Sequence, residues 1–154
     1  MGDGVRGLVQ RVSEAHVTAP DGDGVRRETG RIGAGVVVLV GVTHDDAPED
    51  ADRLAERVAH LRIHPDDDGV MNRSLLDVGG AALVVSQFTL YADTSRGRRP
   101  SFLAAARPEQ AEPLVTRVAD RLAALGVTVA SGRFRTHMHV ALVNDGPITV
   151  LVES

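Results

Sequence analysis

Three stretches of the chain carry side chains whose types and spacing could do chemistry. The first is SQFTLYAD, Ser86 to Asp93, which follows the core-like Leu83, Val84 and Val85 and turns polar without a turn residue. Kept extended, it would send Gln87 and Thr89 to one face and Ser86 and Phe88 to the other. Polar groups at the end of a buried strand suit a site; they equally suit a strand leaving the core, with Ser and Thr bonding to local backbone. The second is RGRRPSF, with Arg96, Arg98 and Arg99 ahead of an aromatic. Arginine forks suit phosphate oxygens, so this loop could accept a nucleic-acid backbone, or it could be a solvated loop. The third is VNDGPITV, Val143 to Val150. Asn-Asp-Gly between two alternating runs predicts a hairpin with a type I′ turn, yet Pro147 follows at once and disfavours helical angles in the residue before it. From the residues alone, trans is the default for that Gly-Pro bond, since only about 5–6% of X-Pro bonds are cis.

Other chemistries find little support. His137 and His139 share a strand face, and His60 and His64 are four apart near a helix end, which invites a metal reading. No HExxH occurs, no carboxylate follows either pair at ligand spacing, and Asp66, Asp67 and Asp68 lack the closing Glu of a calcium loop. No metal and no cofactor are expected. GxSxG, a P-loop and a GxGxxG after a strand are all missing; GDG and GAG read as turns. With no cysteine, disulfides, thiolate chemistry and Cys-ligated zinc are excluded.

The elements that must position these residues fit one domain spanning 1–154. At 43% hydrophobic, 25% charged and 3% aromatic, the core must be built from Val, Leu, Ala and Ile. Asp3, Arg6 and Arg11 interrupt any apolar leader, and VVVLVGV (Val36 to Val42) is too short to span a bilayer. A cytoplasmic protein with no membrane partner is expected. A net charge of −4 argues against a dedicated nucleic-acid binder, although a local basic patch can serve.

RGLVQRVSEAHVT alternates as a strand, with Leu8, Gln10, Val12 and Glu14 on one face and Val9, Arg11 and Ser13 on the other. The turn formers PDGDG precede a second strand ending near Ile32, and the continuous Val36–Val42 run predicts a central strand covered on both faces. Ala51, Leu54, Ala55, Val58 and Leu61 follow helical spacing, with Asp46 and Glu49 resembling a capping box around Pro48. Ala82–Phe88 reads as a strand. A second helix is predicted from about Pro108 to Leu125, with Leu114, Val115, Val118 and Leu122 inward, Pro113 bending its first turns and Gly126 stopping it. Closing strands are expected near 127–133, 138–143 and 147–152. The pattern is α+β, mostly antiparallel sheets forming a barrel-like core with two main helices.

LVQRVSEAHVT, GVVVLVGVTHDD, MNRSLLDVGG, LVVSQFTLYADTSRGRRPSF and VNDGPITV together resemble the D-aminoacyl-tRNA deacylase family, in order and over essentially the whole chain. About four residues at the start are extra. The most specific pieces are the SQxTL-type motif at Ser86–Leu90 and the NxP[VI]T-type motif at Asn144–Thr149. The resemblance implies a cytoplasmic homodimer that hydrolyses the ester between a D-amino acid and the terminal ribose of tRNA, and also acts on glycine mischarged onto tRNA. It places the site at the subunit interface, the SQxTL strand of one subunit facing the Gly-Pro loop of the other. By this resemblance the Gly146–Pro147 bond is cis and reads chirality, its carbonyls occupying the space of an L side chain, with Arg11 holding it.

Thr89 could be a nucleophile, but neither motif supplies an evident activating base. The preferred reading lets the ribose 2′-hydroxyl assist while backbone amides near Phe88 and Thr89 stabilise the oxyanion. Met138 and Phe134 would pocket the adenine, and Arg96, Arg98 and Arg99 would contact tRNA phosphates. His139 stands where many relatives have Gln, and Ile148 replaces the commoner Val. A non-catalytic RNA-binding or dimerisation module on the same fold is the alternative.

Overall fold

The computed structural model describes residues 4–154, so positions 1–3, Asp3 among them, lie outside the described residues. Strand β1 (Arg6–Pro20) turns back through Asp21–Val25 into β2 (Arg26–Ile32) and then β3 (Gly35–Gly41). Helix α1 (Pro48–His60), the small hairpin β4 (His64–Pro65) and β5 (Met71–Arg73), and the short α2 (Leu75–Val78) lead to β6 (Ala81–Ser86). A 3₁₀ turn (Phe88–Tyr91), α3 (Pro108–Ala124), β7 (Thr128–Ser131) and β8 (His139–Glu153) complete the chain.

The main sheet runs β2-β1-β3-β6-β7, with β8 also paired to β1. Residues 15–20 of β1 pair with β2 and residues 6–12 with β3, so β8 occupies the opposite edge of β1. The ends of the path approach each other: Thr29 Oγ1 donates to the Ser131 carbonyl at 3.2 Å, and a Cβ on Gly30 would lie 2.7 Å from that oxygen. The sheet thereby curls into a barrel-like wall. The expected α+β architecture holds, but two pairings, β3 with β6 and β6 with β7, are parallel and spanned by helical crossovers rather than antiparallel. Periodicity says which face a residue takes and nothing about strand direction; the continuous apolar run in β3 was the one cue to parallel neighbours.

Two cores lie on either side of this wall. Val36, Val38 and Val40 of β3 and Ala82 and Val84 of β6 face Leu54 and Val58 of α1 and Leu114, Val118 and Leu122 of α3. Val37, Leu83 and Val85 point the other way, into the barrel with Val12, Val17 and Ile32. β1 serves both: Val9 belongs to the helical side and Val12, Ala15 and Val17 to the barrel, because the register shift at Val12/Glu14 flips its phase and odd-numbered residues face the barrel after it. The strict alternation read from the sequence therefore holds through Val12 and breaks at Ser13.

Both main helices begin on proline, whose missing N–H costs nothing there. At α1 the cap differs from the expected one by a residue. The Asp50 carboxylate accepts from the Ala47 N–H at 2.8 Å, while Asp46 accepts from Thr43 N–H at 2.7 Å, outside the helix. α3 continues through Pro113 and ends at Gly126, φ +104°, whose N–H bonds to the Ala123 carbonyl at 3.0 Å. Arg117 grips Asp52 through two hydrogen bonds of 2.8 and 2.9 Å and joins the helices at their exposed edge.

Gly35 permits the close start of the parallel pair: its φ is +156°, and a Cβ would sit 1.9 Å from the Ala81 carbonyl oxygen. Relieving that contact would require separating two backbones buried on both faces. Gly35→Ala is expected to lower stability by about 3 kcal/mol or more, read as a drop in the urea midpoint; a loss below about 1 kcal/mol would show that the β3–β6 junction yields.

Candidate functional site

β6 delivers the first motif. Its ladder with β3 ends at Ser86, opposite Val40, and Gln87 N–H still bonds to the Val40 carbonyl at 2.8 Å. The chain then curls into the 3₁₀ turn instead of staying extended, so the two-face placement expected for Ser86 to Thr89 does not apply. Gly41 makes room for this curl, since a Cβ there would lie 2.9 Å from Leu90 Cβ and 3.2 Å from the Gln87 carbonyl oxygen. The far end is anchored by Tyr91, buried, with its hydroxyl donating to the Gly4 carbonyl and the Arg6 guanidinium 4.2 Å above its ring. Arg6 also donates to the Leu90 carbonyl at 3.0 Å.

The near end of the turn faces outward. Phe88 and Thr89 are exposed, and as first-turn groups their N–H donors have no partner within the turn. The Gln87 amide donates to Thr89 Oγ1. An amide donor cannot take a proton, so the hydrogen bond recorded for this hydroxyl supplies no general base.

Beside this turn lies a cavity of about 590 Å³. Five residues expected at the site line it: Ser86, Gln87, Phe88, Phe134 and Met138. Phe88 meets Phe102 edge to face at 5.2 Å, forming one wall. Val40, Val42 and Val140 line it too, and Arg107, Arg135 and His137 also reach it. Arg107 and Arg135 escaped the sequence reading because the segment before α3 and the loop before β8 meet only in three dimensions. Phe102 had been visible only as the aromatic closing RGRRPSF.

The second motif is not a hairpin. Both flanks of VNDGPITV pair with β1: Val12 faces Asn144, Gln10 faces Thr149, and Asp145 to Ile148 bulge out opposite Arg11. The strands expected at 138–143 and 147–152 are thus one strand interrupted by a bulge. Asn144 staples its base, accepting from the Ile148 N–H at 2.8 Å and donating to Thr149 Oγ1 at 3.1 Å. Arg11 donates to the Asp145 carbonyl at 3.0 Å and to the Ile63 carbonyl at 2.7 Å, tying the bulge to the segment before β4. The Gly146–Pro147 bond is cis, and Gly146 has φ +138°, where a Cβ would crowd Ile148 and Arg11. Asp145, Gly146 and Pro147 are exposed and none lines the cavity, so one subunit does not bring the two motifs together.

Arg96, Arg98 and Arg99 sit on an exposed loop closed by paired hydrogen bonds between Asp93 and Ser101, 2.8 and 2.9 Å. They do not line the cavity. Among the described residues, no hydrogen bond or ion pair is formed by any of the three guanidinium groups, unlike those of the other arginines.

The histidine pairs diverge: His60 is exposed at the end of α1, whereas His64 is buried on β4. His137 precedes β8 and its ring meets that of His139 edge to face at 5.3 Å. Among the described residues, no three His, Cys, Asp or Glu side chains cluster to hold a metal ion. Asp66 is consumed by its turn, accepting from Asp68 N–H at 2.9 Å and Val70 N–H at 3.0 Å, and Asp67 pairs with Arg73 at 2.9 Å. No helix among the described residues is long and apolar enough to cross a membrane.

Residues 8–153 match the family model described as D-Tyr-tRNA(Tyr) deacylase. A protein of Symbiobacterium thermophilum named D-aminoacyl-tRNA deacylase is 58% identical over 97% of this chain and 96% of its own length. A protein of the same name from Thermomicrobium roseum is 60% identical over 97% of this chain and 94% of its own. A solved structure described as c-Myc DNA Unwinding Element Binding Protein is 32% identical, with a TM-score of 0.87 over 97% of this chain and 98% of that one. Another, described as a probable eukaryotic D-amino acid tRNA deacylase, shares the fold at a TM-score of 0.81 and 18% identity, over 97% of this chain and 99% of that one. The chain belongs to the D-Tyr-tRNA(Tyr) deacylase family.

His64 is buried close to the Arg11 that holds the bulge. Burial, and then the Arg11 charge, push its pKa below the ordinary 6.5. The unfolded chain therefore takes up this proton before the folded one, so stability is full above about pH 6.5 and declines as pH falls below it. The urea midpoint is expected to fall between pH 7.5 and 5.5, and to fall less in His64→Phe; equal slopes in both proteins would assign the decline elsewhere.

Proposed function

We propose that the chain hydrolyses the ester between a D-amino acid and the terminal ribose of tRNA, releasing free amino acid and tRNA, and that it also clears glycine mischarged onto tRNA. The observation that carries the reading is the largely apolar cavity at the end of β6, walled by Phe88, Phe134 and Met138 with Ser86 and Gln87 beside it. Its volume and lining suit a nucleoside carrying an acyl group, and relatives matched over nearly their whole length bear the corresponding name.

In this reading Phe134 and Met138 enclose the adenine. The ester carbonyl then meets the N–H groups of Phe88 and Thr89, which donate to the oxygen as negative charge develops on it. Water attacks the carbonyl carbon, the ribose 2′-hydroxyl relays the water's proton to the departing ribose oxygen, and the ester bond breaks to leave the free amino acid and a tRNA ending in an intact hydroxyl. Thr89 positions substrate, since its hydroxyl is paired with the Gln87 amide and not with a base. This chemistry requires no metal and no cofactor.

Chirality is read by Gly146 and Pro147 contributed from a second copy, held by Arg11 and Asn144. Supporting this are their exposure outside the cavity of their own subunit and the half-exposed Val143 and Leu151 on the same strand. Excluding an L side chain by steric conflict discriminates more strongly than a difference in pocket affinity would. Arg96, Arg98 and Arg99, which lack side-chain partners among the described residues, contact tRNA phosphates. The 32%-identical structure, described as a DNA-element binding protein, favours the second reading of a non-catalytic nucleic-acid-binding or dimerisation module.

The purified protein is expected to deacylate D-tyrosyl-tRNA and to spare L-tyrosyl-tRNA. Equal cleavage of both would remove the chiral gate, and cleavage of neither would favour the binding module. Thr89→Ala is expected to stay within about tenfold of wild-type kcat, because the donors are backbone groups. A loss beyond about a thousandfold with folding intact would make the hydroxyl a nucleophile.

A further inference from the structure

We infer that Arg107 and Arg135 receive the phosphate joined to the 5′ oxygen of the substrate's terminal adenosine, and that Glu109 holds both side chains until this phosphate replaces it. This rests on the deacylase reading and adds which part of the substrate the far side of the cavity takes.

Both arginines line the cavity together with Phe134, Met138 and Phe88, so two arginines border a largely apolar space. A flat apolar body with one anionic substituent is the ligand such a lining fits, and a nucleoside phosphate has that form. The arginines come from different elements, Arg107 capping the start of α3 and Arg135 from the loop before β8, and they converge on one carboxylate. Arg135 is the sole non-glycine residue with positive φ among the described residues, at 62°, a conformation uncommon for a residue with a Cβ.

The grip on Glu109 is loose. Arg107 Nε lies 3.8 Å from Oε2 and Arg135 Nη2 3.5 Å from Oε1, with all three side chains more than half exposed. Charge-assisted hydrogen bonds are normally 2.7–2.9 Å long, as Arg117 achieves with Asp52. Exposed pairs of this kind contribute little, so a phosphate with better-placed oxygens can displace the carboxylate. Arg96, Arg98 and Arg99, on another loop and outside the cavity, are free for phosphates further along the RNA.

Two ratios test the inference. Calorimetry of 5′-AMP and adenosine, which needs no turnover, is expected to show AMP binding the wild type more tightly, with Arg107→Ala/Arg135→Ala reducing that preference about tenfold. Glu109→Gln, which frees both arginines, is expected to raise it, and absence of a rise would remove Glu109 from the site. The kcat/KM ratio of D-tyrosyl-tRNA to 2′(3′)-O-D-tyrosyl-adenosine, which carries the same ester without phosphate, should likewise fall in the double variant. Either ratio unchanged in the double variant would overturn the inference. A wild type that prefers AMP yet cleaves neither ester would instead count against the deacylase reading, with the phosphate site intact.

Discussion

Strand β1 is hydrogen-bonded along both edges, to β8 on one side and to β3 and then β2 on the other, and the remaining structure follows from that double commitment. A strand whose first half must face helices and whose second half must face a barrel cannot keep a single phase. The register shift at Ser13 resolves the conflict, and two residues earlier β8 carries four bulged residues opposite Arg11. The exposed Gly146–Pro147 element is thus built where the two cores meet. Arg11, sitting opposite the bulge, satisfies carbonyls from both β8 and the segment before β4, which makes its position structural whatever else it does.

The cavity arises from the same wall. β6 is buried on both faces until Ser86, where Gly41 leaves room for the chain to curl over the end of β3. A strand that stops abruptly at the surface leaves unpaired N–H groups beside apolar side chains, a combination that suits a polar reacting centre held on an apolar body. The turn is pinned at Tyr91 by Arg6 and by the Gly4 carbonyl, so its outer residues are exposed but not loosely tethered. With a net charge of −4, attraction for an anionic polymer must be local. Every Lys-or-Arg position is arginine, and most of these are engaged with the chain's own carboxylates and carbonyls. The trio Arg96, Arg98 and Arg99, unpartnered among the described residues, and the loosely held pair at the cavity are the exceptions.

Much of this could be read from the chain. The helical faces of α1 and α3, the strand buried on both sides at Val36–Val42 and the stop at Gly126 emerged from periodicity and glycine placement, because local burial imposes those patterns. The family emerged from two motifs and their order. Direction of pairing did not emerge, since an apolar run is the same parallel or antiparallel. Nor did the fate of VNDGPITV: its residues spell a turn, yet a neighbouring strand long enough to pair with both flanks keeps them in line.

By itself, the sequence determined which residues are buried, where the helices start and stop, and which side chains are chemically capable, because these depend on neighbours within a few turns. Tertiary structure alone decided that Ser86, Phe134 and Met138 share one cavity, that Arg107 and Arg135 reach the same carboxylate, and that the Gly-Pro element stands apart from them. Those relations depend on which strand edges and loops are brought together over long separations. Side-chain period carries no information about that, and only closure of the whole sheet supplies it.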